Sequence, residues 1–172
     1  MTTWTEGHVH VALRRFLRER HWQLVAGEFP GGSDHELYPL NCVDPTVARD
    51  QSPDPRRHSL GELIPDLVAL RGDDLFIGEA KVGYSESDRQ KLEILVTSRR
   101  HDLLRALRKF AEERHFPALL PVERLRLLPA LVFTAGSPAP PVPAGFSYVV
   151  LESADKARVE GLLASEVAID AG

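Results

Sequence analysis

Ile64-Pro-Asp-Leu-Val-Ala-Leu-Arg-Gly-Asp-Asp-Leu-Phe-Ile-Gly-Glu-Ala-Lys-Val82 is the stretch whose reading decides the fold. It reads as two short apolar strands joined by a tight turn. Gly72-Asp73 suits a two-residue type II′ loop, because glycine at the first central position tolerates the positive φ required there. Counting outward from an Arg71–Asp74 pair sets Asp66 directly opposite Glu79. Side chains alternate along a strand, so Asp66, Glu79 and Lys81 share one face. Leu75 and Ile77 lie on that face too, which argues against a fully wet surface.

Two facing carboxylates repel, and on their own one of them tends to hold a proton. A divalent cation removes that penalty. Hard oxygen ligands with retained waters suit Mg²⁺, or Mn²⁺ as a substitute, and leave positions for a substrate phosphate. Asp66 and Glu79 are the expected metal ligands, with the backbone carbonyl of Ala80 as a third. Lys81, beside them, is placed to orient water or to neutralise charge at phosphorus. The reaction implied is hydrolysis of a phosphodiester. The plainer alternative makes Asp66 a turn or cap residue and Glu79 with Lys81 a solvated ladder on an exposed sheet face.

Pro65-Asp66, twelve residues, then Glu79-Ala80-Lys81 on a strand resembles the PD-(D/E)XK signature of the restriction-endonuclease-like nucleases. The resemblance implies an α/β core with a mixed central sheet flanked by helices, in the order helix, three strands, helix, strand. That order can be traced from residue 5 to about residue 152. Members often carry an acid on the first helix aimed at the site; Glu6 is available, and His10 lies one turn on, on the same face. Either could join the metal's outer shell. Some members place a polar active-site residue after the second motif strand, a position that Gln90 occupies here.

Composition sets the outer bounds. The chain has 172 residues, 43% apolar and 27% charged, as expected of one globular domain spanning 1–172. No apolar run reaches the roughly 20 residues of a membrane span, and no secretory signal is visible. The single cysteine, Cys42, fits a reducing cytoplasm and reads as a small buried or loop residue. A net charge of −4 argues against indiscriminate coating of nucleic acid. Residues 89–126, however, hold ten Lys/Arg against five Asp/Glu, a local basic surplus and a hint of DNA contact.

Along the chain, residues 5–20 read as an amphipathic helix with Thr5 as N-cap. Val9, Leu13, Phe16 and Leu17 form its apolar stripe; Arg14, Arg15 and Arg18 form its polar side. Trp22–Ala26 reads as the first core strand. Residues 28–63 are an irregular insertion, rich in proline, in which Arg49, Arg56, Arg57 and His58 could reach phosphates. Ser85 with Asp88 resembles a capping box that opens a helix near Glu86, with Leu92, Leu95 and Val96 inward. Thr97-Ser98 separates it from a second helical stretch through Leu103, Leu104, Leu107 and Phe110. Ala130–Thr134 and Phe146–Leu151 read as buried strands, with a proline-rich surface loop at Pro138–Pro143 between them. Residues 154–168 read as a final helix. No Walker or dinucleotide loop, HExxH, Cys/His array or Gly-x-Ser-x-Gly elbow is present.

The expectation is therefore a cytoplasmic, metal-dependent DNA endonuclease, plausibly a homodimer, since cutting both strands of a duplex usually takes two sites. The alternatives are a structure-selective nuclease acting on Holliday junctions or single strands, and a nucleic-acid-binding module of the same fold without turnover.

Overall fold

The computed structural model describes residues 3–32, 34–43 and 62–164. Helix α1 (Glu6–Glu19) starts where the Thr5 hydroxyl accepts a hydrogen bond from the His8 amide (3.2 Å) and the His8 ring accepts one from the Thr5 amide. Its apolar stripe is buried as expected, Val9 and Leu17 completely. The chain then forms β1 (Gln23–Gly27), the short β2 (Cys42–Val43) and β3 (Glu62–Leu63), and the hairpin of β4 (Leu67–Arg71) with β5 (Asp74–Ala80). Helices α2 (Glu86–Val96) and α3 (Arg100–Glu113) and two 3₁₀ turns lead to β6 (Arg126–Thr134), β7 (Ser147–Ser153) and β8 (Lys156–Gly161).

Six strands make one open mixed sheet in the order β1-β4-β5-β6-β7-β8, while β2 pairs with β3 separately. Pairing is antiparallel from β1 to β5, parallel from β5 to β7, and antiparallel again at β8. A parallel step needs a long crossover. Helices α2 and α3 supply the first, and the proline-rich loop after β6 supplies the second. Val142 of that loop packs on the core, so the loop is a covering connection.

The alternating strands divide the interior into two layers. Leu67, Ala69, Phe76, Ala80, Ala130 and Val149 meet the stripe of α1. Val68, Leu70, Leu75, Ile77, Leu131 and Tyr148 meet Leu92, Leu95, Leu103 and Leu107 of α2 and α3.

Three expectations need correcting. Residues 154–161 do not form the expected helix. Ala154 and Asp155 turn the chain, with the Ser153 hydroxyl bonded to the Asp155 carboxylate at 2.8 Å, and Lys156–Gly161 add an antiparallel edge strand. The segment is rich in helix formers, but Ala157 and Val159 alternate inward against the α1-side core, and that burial overrides propensity. Residues 162–164 make one helical turn, and 165–168 lie outside the described residues.

Strand β6 begins four residues earlier than the sequence suggests, running through Pro129. Its pairing with β7 starts only at Ala130, so the proline lies where β6 is still an edge and its missing N–H is not needed. Arg14, expected on the polar side of α1, is buried at 4% exposure. It forms ion pairs with Asp34 and Glu36, which the segment after β1 brings over the helix. Arg49, Arg56, Arg57 and His58 of the irregular insertion lie outside the described residues.

Gly72 and Gly161 both have positive φ, +60° and +89°. A Cβ at Gly72 meets open space, whereas one at Gly161 falls 2.3 Å from the Phe146 carbonyl oxygen. Gly72→Ala is thus expected to cost about 1–2 kcal/mol of stability, and Gly161→Ala distinctly more, in urea unfolding. Equal losses would show that β8 does not close against β7 in this way.

Candidate metal centre

The hairpin fixes the site. Observed pairs run from Arg71↔Asp74 to Leu67↔Gly78, and Gly72 alone of the two turn residues has positive φ, as a type II′ turn requires. The next step outward brings Asp66 to Glu79. Asp66 lies just before the first residue of β4, where the chain bends, and its carbonyl accepts a hydrogen bond from the Glu28 amide (3.0 Å). Its carboxylate Oδ2 accepts from the Ala80 amide at 2.9 Å. The Asp66 side chain is thus tied across the end of β5, between the two layers.

Glu79 faces the α2 layer and is 3% exposed. Burial pushes its carboxyl well above the usual range, and the nearby Asp66 carboxylate pushes it further. Against both stands Lys91 of α2, whose Nζ is 2.6 Å from Glu79 Oε1 and donates to the Ile64 carbonyl at 2.7 Å. Burial pulls the Lys91 ammonium down, but the charges of Glu79, Asp66 and Asp88 outweigh it and hold it protonated. Lys81 points the same way yet remains 45% exposed, with Nζ 3.5 Å from Asp88 Oδ2.

From the opposite layer, α1 contributes His10 and Glu6. His10 is 2% exposed and leans on the Phe29 ring, with centroids 5.5 Å apart. Its Nε2 has no hydrogen-bond partner among the described residues. It stands 3.7 Å from Asp66 Oδ2, too far for a hydrogen bond. Glu6, His10 and Asp66 each bring a ligand atom within 4.8 Å of the others. An orphaned, buried imidazole nitrogen aimed at a carboxylate, with a second carboxylate beside it, is a donor set that fits a divalent cation.

The sequence-selected residues therefore do not all meet. Asp66, Glu6 and His10 converge at one end of the sheet; Glu79 lies beside Asp66 but outside that trio, paired to Lys91, with Lys81 at the margin. The Ala80 side chain is buried in the α1-side core and its amide is taken by Asp66. Gln90 is exposed, beside Glu86 on its own helix. The residue that reaches the cluster is its neighbour Lys91.

Asp88, expected to complete a capping box, leaves the Ser85 hydroxyl to accept its amide (3.2 Å) and turns its carboxylate to Lys81. A signal for both was present: Asp88 and Lys91 fall on the helical repeat of Leu92 and Leu95, and so on the inner face.

Most charges of the basic segment are paired within the fold. Arg89, Arg99, Arg108, Arg124 and Arg126 are each ion-paired to a carboxylate. Burial pushes the Cys42 thiol up to about 12, consistent with a packing role. No helix among the described residues is long and apolar enough to cross a membrane. No family model, curated protein or solved structure matches the chain.

A carboxyl with a raised folded-state pKa contributes stability that is complete below its unfolded pKa and is lost as pH rises through the folded value. With chelator present, stability is expected to fall as pH rises above 4.5, the ordinary value for this group. Glu79→Gln should flatten that slope. The urea midpoint of both proteins between acid and neutral pH checks this, and identical slopes would show that Glu79 is not the group responsible.

Proposed function

We propose that the chain is a metal-dependent deoxyribonuclease with a restriction-endonuclease-like core, hydrolysing phosphodiester bonds. The observation that carries this reading is the cluster of Asp66, Glu6 and the unpartnered His10 at one sheet end, with the buried Glu79 beside Asp66 and an exposed lysine at the rim. The PD-(D/E)XK pattern of Pro65-Asp66 and Glu79-Ala80-Lys81 supports it independently.

Asp66 and Glu79 would hold Mg²⁺, or Mn²⁺ in its place, with His10 as a nitrogen ligand and the Ala80 carbonyl as a further oxygen; Glu6 completes the acidic surround. Bound there, a divalent ion supplies polarisation of a phosphoryl oxygen and a lowered pKa for coordinated water. The chain's own contribution is positional. The Ala80 amide fixes the Asp66 carboxylate. The buried Glu79 is held by Lys91. Lys81, loosely tethered by Asp88, offers an ammonium to a phosphate arriving from solvent. The partner is DNA, duplex or branched, and a homodimer would present two sites to a duplex.

A second reading is a nucleic-acid-binding module without turnover. The Glu79–Lys91 ion pair favours it, because it neutralises the buried carboxylate without metal.

With Mg²⁺, the protein is expected to cut plasmid, a four-way junction or single-stranded DNA, and chelator should abolish cutting. Asp66→Ala, Glu79→Ala and Lys81→Ala should each lower the rate by about 100-fold or more, with circular dichroism showing that the variants fold. A wild-type protein that binds Mn²⁺ and leaves every substrate intact would favour the module; variants that cut as well as wild type would overturn the site.

A further inference from the structure

Lys91 has no place in the sequence pattern, yet it makes a close contact with Glu79. Its Nζ is ion-paired to Glu79 Oε1 at 2.6 Å and donates to the Ile64 carbonyl oxygen at 2.7 Å, so partners from two segments hold it. The pair is secluded: the side chains are 26% and 3% exposed. The other ammonium, on Lys81, is turned to Asp88 at 3.5 Å and leaves Glu79 to Lys91.

We propose that Lys91 is a resident counter-cation that occupies the Glu79 carboxylate in the metal-free protein and competes with the divalent ion for it. The inference rests on the metal-centre reading above and deepens it. Two carboxylates packed in a poorly screened pocket repel strongly, and a positive charge beside them relieves that repulsion. Lys91 provides the charge from within the chain, so the hairpin end can fold before any ion arrives. The same charge then opposes loading. A divalent ion approaching Asp66 and Glu79 meets an ammonium already on one of its oxygens, and must displace it or bind beside it. A phosphodiester brings negative charge to which a displaced ammonium can turn. Ion and substrate are therefore coupled, each easing entry of the other. Lys91 is in this sense a positioning residue, acting through Glu79.

The test is Mn²⁺ binding, followed by electron paramagnetic resonance of the free ion, with no substrate present. Lys91→Gln keeps a donor for the Ile64 carbonyl and removes the charge. It is expected to bind Mn²⁺ about tenfold tighter than wild type, and to melt at a lower temperature in chelator, with Mn²⁺ restoring the loss. In a Glu79→Gln background the same substitution should change Mn²⁺ affinity less than about twofold, since the competition is for Glu79.

If wild type binds Mn²⁺ and Lys91→Gln binds it equally or more weakly, the counter-cation role is overturned while the metal centre stands. If neither protein binds Mn²⁺, both are overturned. Should Lys91→Gln fail to fold, Lys91→Arg carries the test. Its guanidinium keeps the charge and grips a carboxylate with two donors, so Mn²⁺ must bind it no tighter than wild type, and tighter binding overturns the role.

Discussion

The approach of Asp66 to Glu79 is the constraint around which one end of this sheet is organised. It follows from a two-residue turn five pairs away, and a one-residue slip would send Glu79 to the opposite layer. Like charges so close, one of them nearly sealed from water, are unfavourable unless something nearby compensates. Compensation comes from both sides. Lys91 reaches Glu79 from α2, and the Ala80 amide takes one oxygen of Asp66. His10 approaches from α1 with a nitrogen that is still unpartnered among the described residues. The first is an ion pair and the second a hydrogen bond, both made within the chain. The third is the place where the arrangement remains incomplete, and it is what separates a site from a salt-bridged strand end.

Strand parity explains why both helical layers are represented. Glu79 and Lys81 sit in phase with Leu75 and Ile77, on the α2 side, while Ala80 sits in phase with Phe76, on the α1 side. Asp66 escapes this division because the chain bends before β4 begins. Its carboxylate can therefore touch the Ala80 amide and stand near His10 at once. A residue inside the regular strand would have been committed to one layer.

What the sequence reveals and what it hides follow from the same distinction between local and distant contacts. The turn at Gly72-Asp73, the stripe of α1 and the break between α2 and α3 are local patterns, and each is legible. The β8 strand is not: its burial depends on β7 beside it, and its composition favours helix. Arg14 looks like a solvent-facing residue until Asp34 and Glu36 close over it. The basic surplus of residues 89–126 looks like a patch until its acidic partners, some as distant as Asp73 and Asp74, are in place. In the site, Gln90 and Lys91 differ by one position and about a hundred degrees around the helix. Family resemblance points to the first, whereas the inner face defined by Leu92 and Leu95 points to the second.

The two lysines at the sheet end show how environment divides roles between like side chains. Lys91 is mostly buried and held by two acceptors, so moving its charge requires a replacement cation for Glu79. Lys81 is nearly half exposed and has one long contact, to an aspartate that also benefits from the N-terminal turn of α2. An exposed ammonium near the surface is suited to meet an incoming anion, and a buried one is suited to hold a carboxylate. The strand fixes Lys81 two residues after Glu79, and the helix fixes Lys91 three after Asp88, so that separation of tasks is written into the spacing of both elements.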